Sequence, residues 1–560
     1  MDLLRDSSLG QLVRFATGKR CFLYPEERAG FAHPCTEEKV SVSSGLVHVP
    51  RSQSEHQRLV PGPGSKYERP HSQALTPQGG PVNEGRRSDG KDIFLVDWYD
   101  EKDVDNPQNW SSFKKSIVTA VLWLYTFTVY CASAIYTPSV DGVMEEYNLD
   151  HTLSTLGLSL YILGYGIGPL IFSPISEIPR IGRNAPYMIT LFLYVLMAVP
   201  TALTRSFPAF LVLRFLTGFL GSPCLATGGA TLQDMYSWSK MPYGYTAWVG
   251  ATFCAPALGP IISGFAVDAR GDWRLPLWEI LWMALLTFVV MFVAFPETSA
   301  STILLRRAQR VRKVFKDQRY VSQSEIDEAS LSPRHIVAHA LIRPLQITIL
   351  DPAVFFTNLY SSYSYGVYYS FFEAFPLVYT DMYGFDLGLT GTAFLSIVVA
   401  CLAGTLIYLI YVYWHWEPRV KKNGLSPPEQ CLIPAIFASF LQPIGLFLFA
   451  WSSRQSIHWV VSMAGVALFS TGGFILFQGI FTYLPLSYPR YAASLFAAND
   501  FFRSAWAAGA VIYARPLFDR LGIAGGVSLL GGLSCGGVLG VSALYVYGAR
   551  LRSRSKFAET

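Results

Sequence analysis

The sequence predicts an all-α polytopic membrane protein with twelve transmembrane helices in two six-helix halves, and three observations predict it. Hydrophobic residues make up 51% of the 560 residues and charged residues only 15%, against about 25% charged in an average soluble chain. Beyond about residue 115, apolar runs of about 20 residues recur. Each is long enough to cross about 30 Å of hydrocarbon, whereas a membrane β-barrel would show short alternating strands. Lys and Arg fall in alternate gaps between those runs, as expected for loops retained on one side of a membrane.

Residues 1–110 read as a cytoplasmic, largely disordered tail, because the stretch 50–90 is rich in Pro, Gly, Ser and charge, as in Pro61-Gly62-Pro63-Gly64; such a composition buries too little surface to fold. Within it, Gly10 to Glu27 is patterned enough for a short helix lying on the bilayer or on the protein, and Trp110 suits an interfacial anchor. The N-terminal half covers 111–295, with spans expected near 116–136, 154–173, 186–204, 208–231, 245–267 and 276–295. A basic central loop, 296–350, carries Arg306, Arg307, Arg310, Arg312, Lys313 and Lys316. The C-terminal half covers 351–548, with spans expected near 353–377, 388–413, 431–451, 457–483, 492–513 and 524–547, and a short tail follows at 549–560.

Basic residues before the first span (Lys114, Lys115), after the second (Arg180, Arg183), after the eighth (Arg419, Lys421, Lys422) and at the end (Arg550, Arg552, Arg554) share one side if both termini are cytoplasmic. Arg270 and Arg274 on the opposite side are exceptions that do not reverse the bias. The first residues lack the apolar core of a cleavable signal, so targeting falls to the first span. The cysteines are scattered singly, without disulfide or metal spacing. The basic residues lie between spans rather than on one face, which argues against nucleic acid as a partner. No phosphate-binding G-x-x-x-x-G-K-[ST] loop occurs, which argues against an ATP-driven pump, and no nucleophile or metal constellation suggests an enzyme.

The segment Gly168 to Arg183 joins two spans with almost no linker and sets Glu177, Arg180, Gly182 and Arg183 in close succession. Two six-helix halves joined by a basic loop resemble the major facilitator superfamily, and this segment is similar to its motif A, with Glu177 where Asp is usual. The resemblance implies halves related by an axis along the membrane normal, a substrate site between them at the midplane, and a latch on the inner side. In that latch Glu177 docks on the positive N-terminal dipole of the eleventh span, and Arg183 pairs with Asp234. Gly168 belongs to the same gating set by that resemblance; the alternative is a plain positive-inside loop with a helix-packing glycine.

Val212 to Gly218 resembles motif B. A charge inside hydrocarbon costs about 2.5 kcal/mol or more, so Arg214 is expected to face the central cavity and influence proton coupling; the alternative is an arginine snorkelling to the interface. Gly250, Pro256, Gly259, Pro260 and Gly264 resemble motif C of antiporters, in which small residues allow close helix packing and prolines bend the helix. Asn106 to Trp110, Pro296-Glu297-Thr298, Ile303 to Ala308, Ala498 to Ser504 and Tyr24-Pro25-Glu26-Glu27 resemble the fungal twelve-span drug:proton antiporter family, in its fluconazole- and benomyl-resistance branch. The segment Ala510 to Pro516 departs from that pattern, and Arg515 is expected at the outer surface.

Intramembrane polar residues are the natural site candidates. Glu373, among the aromatic rings of the seventh span, is expected to exchange a proton with a cationic or polar substrate; alternatively it only shapes charge at the outer mouth. Asp500 and Arg503 are three apart on one helix, a spacing at which they either serve coupling or simply pair. Asn358 and Asn499 are expected to offer hydrogen bonds to the cavity. Tyr360, Tyr363, Tyr365, Tyr368 and Tyr369 crowd the seventh span and suit stacking on flat or cationic molecules. The expectation is a monomeric plasma-membrane antiporter that exports drugs, fungicides or toxic metabolites, hydrophobic or cationic, by alternating access, with the proton gradient as energy source and no cofactor. Export of polyamines or of one cluster-made metabolite is the alternative. A non-transporting sensor is disfavoured by the short C-terminal tail.

Overall fold

A computed structural model of the chain describes residues 2–28, 93–329, 342, 344–424, 427–555 and 557. Among these residues, ten helices are long and apolar enough to cross a membrane. One of them, Ala492–Arg554, runs for 63 residues, about three times the length a bilayer requires. It folds back at Gly522 (φ 69°, ψ 164°), and the rings of Tyr491 and Phe557 beyond its two ends lie 6.1 Å apart. It is therefore a hairpin of the eleventh and twelfth spans.

The seventh span, Pro352–Phe375, is not one of the ten, because its tyrosines and serines lower its mean hydropathy. Most of these side chains are buried inside the bundle. With it the spans among the described residues number twelve. The others are Ser112–Ala134, Leu156–Glu177, Asn184–Leu203, Phe207–Gly221 continued by Pro223–Met235, Met241–Arg270, Leu275–Ala294, Leu395–Tyr411, Ile433–Ser452 and Trp459–Ser487. Side-chain caps begin the first and seventh spans, where Ser111 Oγ accepts from Lys114 N (3.3 Å) and Asp351 Oδ1 from Ala353 N (3.0 Å), and Asp386 Oδ1 accepts from Leu389 N (2.6 Å) in the short helix Leu387–Ala393 that leads into the eighth. Each oxygen satisfies an amide that the first helical turn leaves unpaired.

One end of the bundle carries both termini and the central segment, and a folded cap covers its N-terminal half. Helix Ala300–Phe315 is amphipathic. Its Ala308 and Val311 pack with Phe94, Val96 and Tyr320, from two short parallel strands, Phe94–Val96 (β1) and Tyr320–Ser322 (β2). Its basic side is consumed by ion pairs. Arg307, fully buried, binds Asp103 (2.6 Å) and Asp105 (2.9 Å), Arg310 binds Glu26 (2.5 Å), and Arg312 binds Glu325 (2.7 Å). Tyr24 lies under three guanidinium groups, those of Arg5, Arg14 and Arg310, at 4.4, 4.7 and 3.8 Å from its ring centre.

Three expectations change here. The two ends of the tail, Asp2–Arg28 and residues 93–110, are folded rather than disordered, because their acids neutralise the central helix; the Pro/Gly-rich stretch 50–90 lies outside the described residues. The short helix expected near Gly10–Glu27 is Ser8–Ala16, and it rests on the protein, with Ser8 Oγ 3.0 Å from Asn184 Oδ1. Trp110 is buried beneath Lys114 (3.9 Å) rather than exposed at an interface.

Replacing Arg307 with alanine strands Asp103, and breaking one side of a buried pair costs about 3–5 kcal/mol. Limited proteolysis is expected to release Asp2–Arg28 in that variant while the spans stay protected. Acid should act alike. Burial raises the Asp103 pKa, but the Arg307 fork and the Tyr99 amide outweigh it and leave it below the ordinary value. Its contribution is therefore complete above the unfolded pKa of about 4 and is lost as pH falls through the lower folded value. Cleavage of this segment is expected to rise below about pH 4.

Candidate functional site between the two halves

The eleventh span presents Asp500 and Arg503 one turn apart, and the two pair directly with both side chains buried. Tyr130, from the first span, joins them across the halves: its hydroxyl accepts from Arg503 Nη2 (2.7 Å) and donates to Asp500 Oδ1 (3.5 Å). The Arg503 guanidinium stands 4.6 Å from the centre of the Tyr365 ring. Beside it, Tyr165 of the second span meets Tyr365 (3.0 Å) and Tyr369 (3.1 Å) of the seventh, and Ser133 of the first meets Tyr369 (2.9 Å). The core of the half-to-half contact is thus one ion pair ringed by hydroxyls.

Asn358 and Asn499 are close to each other but serve the C-terminal half. Asn499 Nδ2 donates to Asn358 Oδ1 (2.9 Å) and Ser361 Oγ (2.7 Å), and Asn358 Nδ2 donates to Thr348 Oγ1 (3.0 Å). Their donors are spent on joining the seventh and eleventh spans rather than offered to a cavity. Tyr360 likewise donates to Gln442 (2.8 Å) and Tyr363 to the Leu530 carbonyl.

Glu373 lies at the opposite end of the seventh span from the cap. Its partner there is His151, which precedes the second span in the other half, at 3.6 Å. Arg515 is near this end and pairs with Asp519 (3.5 Å).

Arg214 is buried, but it does not reach toward Asp500. Its Nε donates to Gly157 O (3.0 Å) and its Nη1 to Ala132 O (3.2 Å), while the Tyr161 ring lies 4.5 Å away. The carbonyls it takes belong to the first and second spans, so Arg214 ties three spans of one half together instead of facing a central cavity.

In the Gly168–Arg183 segment, Arg183 Nε pairs with Asp234 Oδ2 (3.2 Å) and its Nη1 donates to Ser176 Oγ (3.0 Å). Glu177 stands exposed at the end of its helix and Arg180 beyond it. The contact with the eleventh span expected of Glu177 is made by Ser173, whose hydroxyl donates to Ala493 O (3.5 Å). Gly168 packs where an added Cβ would strike the fourth span at Ser222 and Phe219.

A residue that the sequence marked only as part of the family-like Pro296-Glu297-Thr298 segment, without a role, organises the joint. Glu297, buried just after the sixth span, accepts from Arg183 N (2.9 Å), Asn184 N (3.3 Å) and Ser299 N (3.0 Å). Its carboxylate caps the third span, where the amides of the first turn favour negative charge. Gly182 makes this approach possible, with φ at +78° and no Cβ to strike the Glu297 carboxylate.

In the fifth span, Gly259 lies against the first span, where a Cβ would stand 2.7 Å from Ile135 N, and Gly264 lies against Leu387 O ahead of the eighth (2.9 Å). A Cβ on Gly391 would in turn strike the Pro260 carbonyl. Pro256 and Pro260 are inside the helix, and Tyr368 donates to Phe253 O (2.8 Å). Gly250 has open space around its Cβ position. The fifth span therefore serves both halves, through Gly259 and Gly264 but not Gly250.

Gly182→Ala forces an alanine into the left-handed region, at about 1–2 kcal/mol, and onto a buried carboxylate. A fall in the unfolding temperature of the detergent-solubilised protein is expected. Gly250→Ala, with nothing to strike, is expected to leave that temperature unchanged or slightly raised.

The chain matches the family profile described as Major Facilitator Superfamily over residues 122–512. It is 39% identical over 99% of both chains to an MFS-type transporter of Aspergillus violaceofuscus. It is 38% identical to fluconazole resistance protein 1 of Saccharomyces cerevisiae, over 85% of this chain and 87% of that one. It is 34% identical, over 99% of both, to the cycloheximide resistance protein of Candida maltosa. Among solved structures, the proton:xylose symporter XylE shares the fold, with a TM-score of 0.56 at 14% identity over 78% of this chain and 96% of that one. Twelve spans in two halves, a polar contact between them, and these matches make the chain a member of the major facilitator superfamily, and a relative of its fungal drug-resistance transporters.

Proposed function

We propose that the chain exports drugs, fungicides or toxic metabolites across the plasma membrane in exchange for protons, by alternating access. The observation that carries the reading is the chemistry of the half-to-half contact. Asp500 and Arg503 pair on one helix, and around them the bonds that cross to the other half are hydroxyl bonds of Tyr130, Tyr165 and Ser133. Such bonds exchange for water at a net cost of about 1–3 kcal/mol each, the upper end applying to those on charged groups, so this centre can part without separating its ion pair. The resistance named for its relatives supports the direction and the class of cargo. The Lys and Arg bias supports a cytoplasmic position for the capped end with both termini, and with it an outer position for Glu373.

Glu373 is the proposed proton carrier. It is buried, lies at the seam, and meets His151 of the other half, so its charge state is coupled to whether the outer ends touch. Export of polyamines is less well supported, because the acid in the central contact, Asp500, is already neutralised by Arg503. Glu373→Gln is expected to abolish efflux driven by a pH gradient while surface expression stays intact; full transport by that variant removes Glu373 from the mechanism. Expression in an efflux-deficient yeast tests the wider reading, with protection against azoles, benzimidazoles or cycloheximide expected and protection against polyamines alone favouring the alternative.

A further inference from the structure

The Asp500–Arg503 pair is fully buried and incompletely satisfied. A guanidinium carries five N–H donors in one plane. Arg503 uses Nη2 on Asp500 and Tyr130, while Nε and Nη1 have no protein partner. Asp500 Oδ2 is likewise buried without one. Unmet buried donors and acceptors are expensive, at about 1–3 kcal/mol each, and are uncommon in a native interior. Aromatic rings do not repair the deficit. Tyr365, Phe477 and Phe481 lie 4.6, 5.6 and 6.0 Å from the guanidinium carbon, and ring contacts of this kind do not replace in-plane hydrogen bonds.

From this geometry we infer that, on the efflux reading above, the pair is a recognition element for neutral, flat substrates that carry a hydrogen-bond donor beside an acceptor, as in a lactam, a cis-amide or a hydroxy-ketone. The acceptor takes the free Arg503 N–H groups and the donor serves Asp500 Oδ2. Neutrality follows from the pair itself. Its charges cancel, so a charged ligand would bring an uncompensated charge away from water. Flatness follows from the rings of Tyr365, Phe477 and Phe481. Access follows from the seam, because the Tyr130 hydroxyl closes the pair from the other half and leaves when the halves separate.

The experiment measures efflux of 2-quinolinone and N-methyl-2-quinolinone, two probes differing in one N–H, from efflux-deficient yeast expressing the full chain, with resistance to fluconazole and cycloheximide recorded in the same cells. Loss of a single hydrogen-bonding group that a site is built to receive is discriminated strongly. The wild type is expected to export the lactam at least about tenfold faster than its N-methyl analogue. Asp500→Asn, which loses a carboxylate acceptor, is expected to narrow that ratio. Equal export of the two probes by the wild type overturns the inference, and so does export of neither by cells that the chain protects against the drugs. In both cases the efflux reading stands. Absence of probe export together with absence of drug protection overturns both. The comparison of the two probes in the wild type needs no variant to fold.

Discussion

An ionised group removed from water is held only where an opposite charge or a set of oriented dipoles replaces its hydration. This requirement decides where each half of the chain is tied to itself and where it can part from the other. Arg214 meets it with carbonyls of the first and second spans, Glu297 with amides at the start of the third, and Arg307 with two aspartates of the cap. All three arrangements lie in the N-terminal half and the segments folded on it, and they tie that half to itself.

At the seam the requirement takes another form. Asp500 and Arg503 neutralise each other along one helix, so separation at this centre costs hydroxyl bonds and ring contacts rather than that ion pair, while the outer end also parts His151 from Glu373. The fifth span supplies the complementary device. Its glycines bring backbone against backbone toward both the first and the eighth spans, a dispersion contact without polar groups to desolvate. Interfaces built in this way are stable when closed and inexpensive to reopen.

The cap extends the same logic to segments that composition assigned to solvent. Its ends are folded because their carboxylates meet a helix whose arginines would otherwise repel one another. It reaches the membrane spans through Lys114 and Asn184, which contact Asp6 and Ser8, and it adjoins the Glu297 joint. Folding of the tail and of the Gly168–Arg183 segment therefore share neighbouring residues.

Much of the architecture was legible from the chain alone, because it rests on local properties: run length sets the spans, basic gaps set their alternation, and three-residue spacing puts Asp500 beside Arg503. Hydropathy also carried a distortion, since the seventh span is the least apolar of the set for the same reason that it lies inside, its tyrosine and serine hydroxyls. The motif-like residues were found as a group, while their partners were only partly foreseen; Arg183 meets Asp234, but the contact with the eleventh span that the resemblance implied for Glu177 is made by Ser173, and Arg214 binds carbonyls instead of facing a cavity. What the tertiary structure alone decided is which groups converge: Tyr130 with Arg503, 373 residues apart, His151 with Glu373, and Glu297 with the amides of Arg183 and Asn184. These contacts depend on the rotation and register of packed helices, and a span that is apolar around most of its circumference does not encode that rotation in its own pattern.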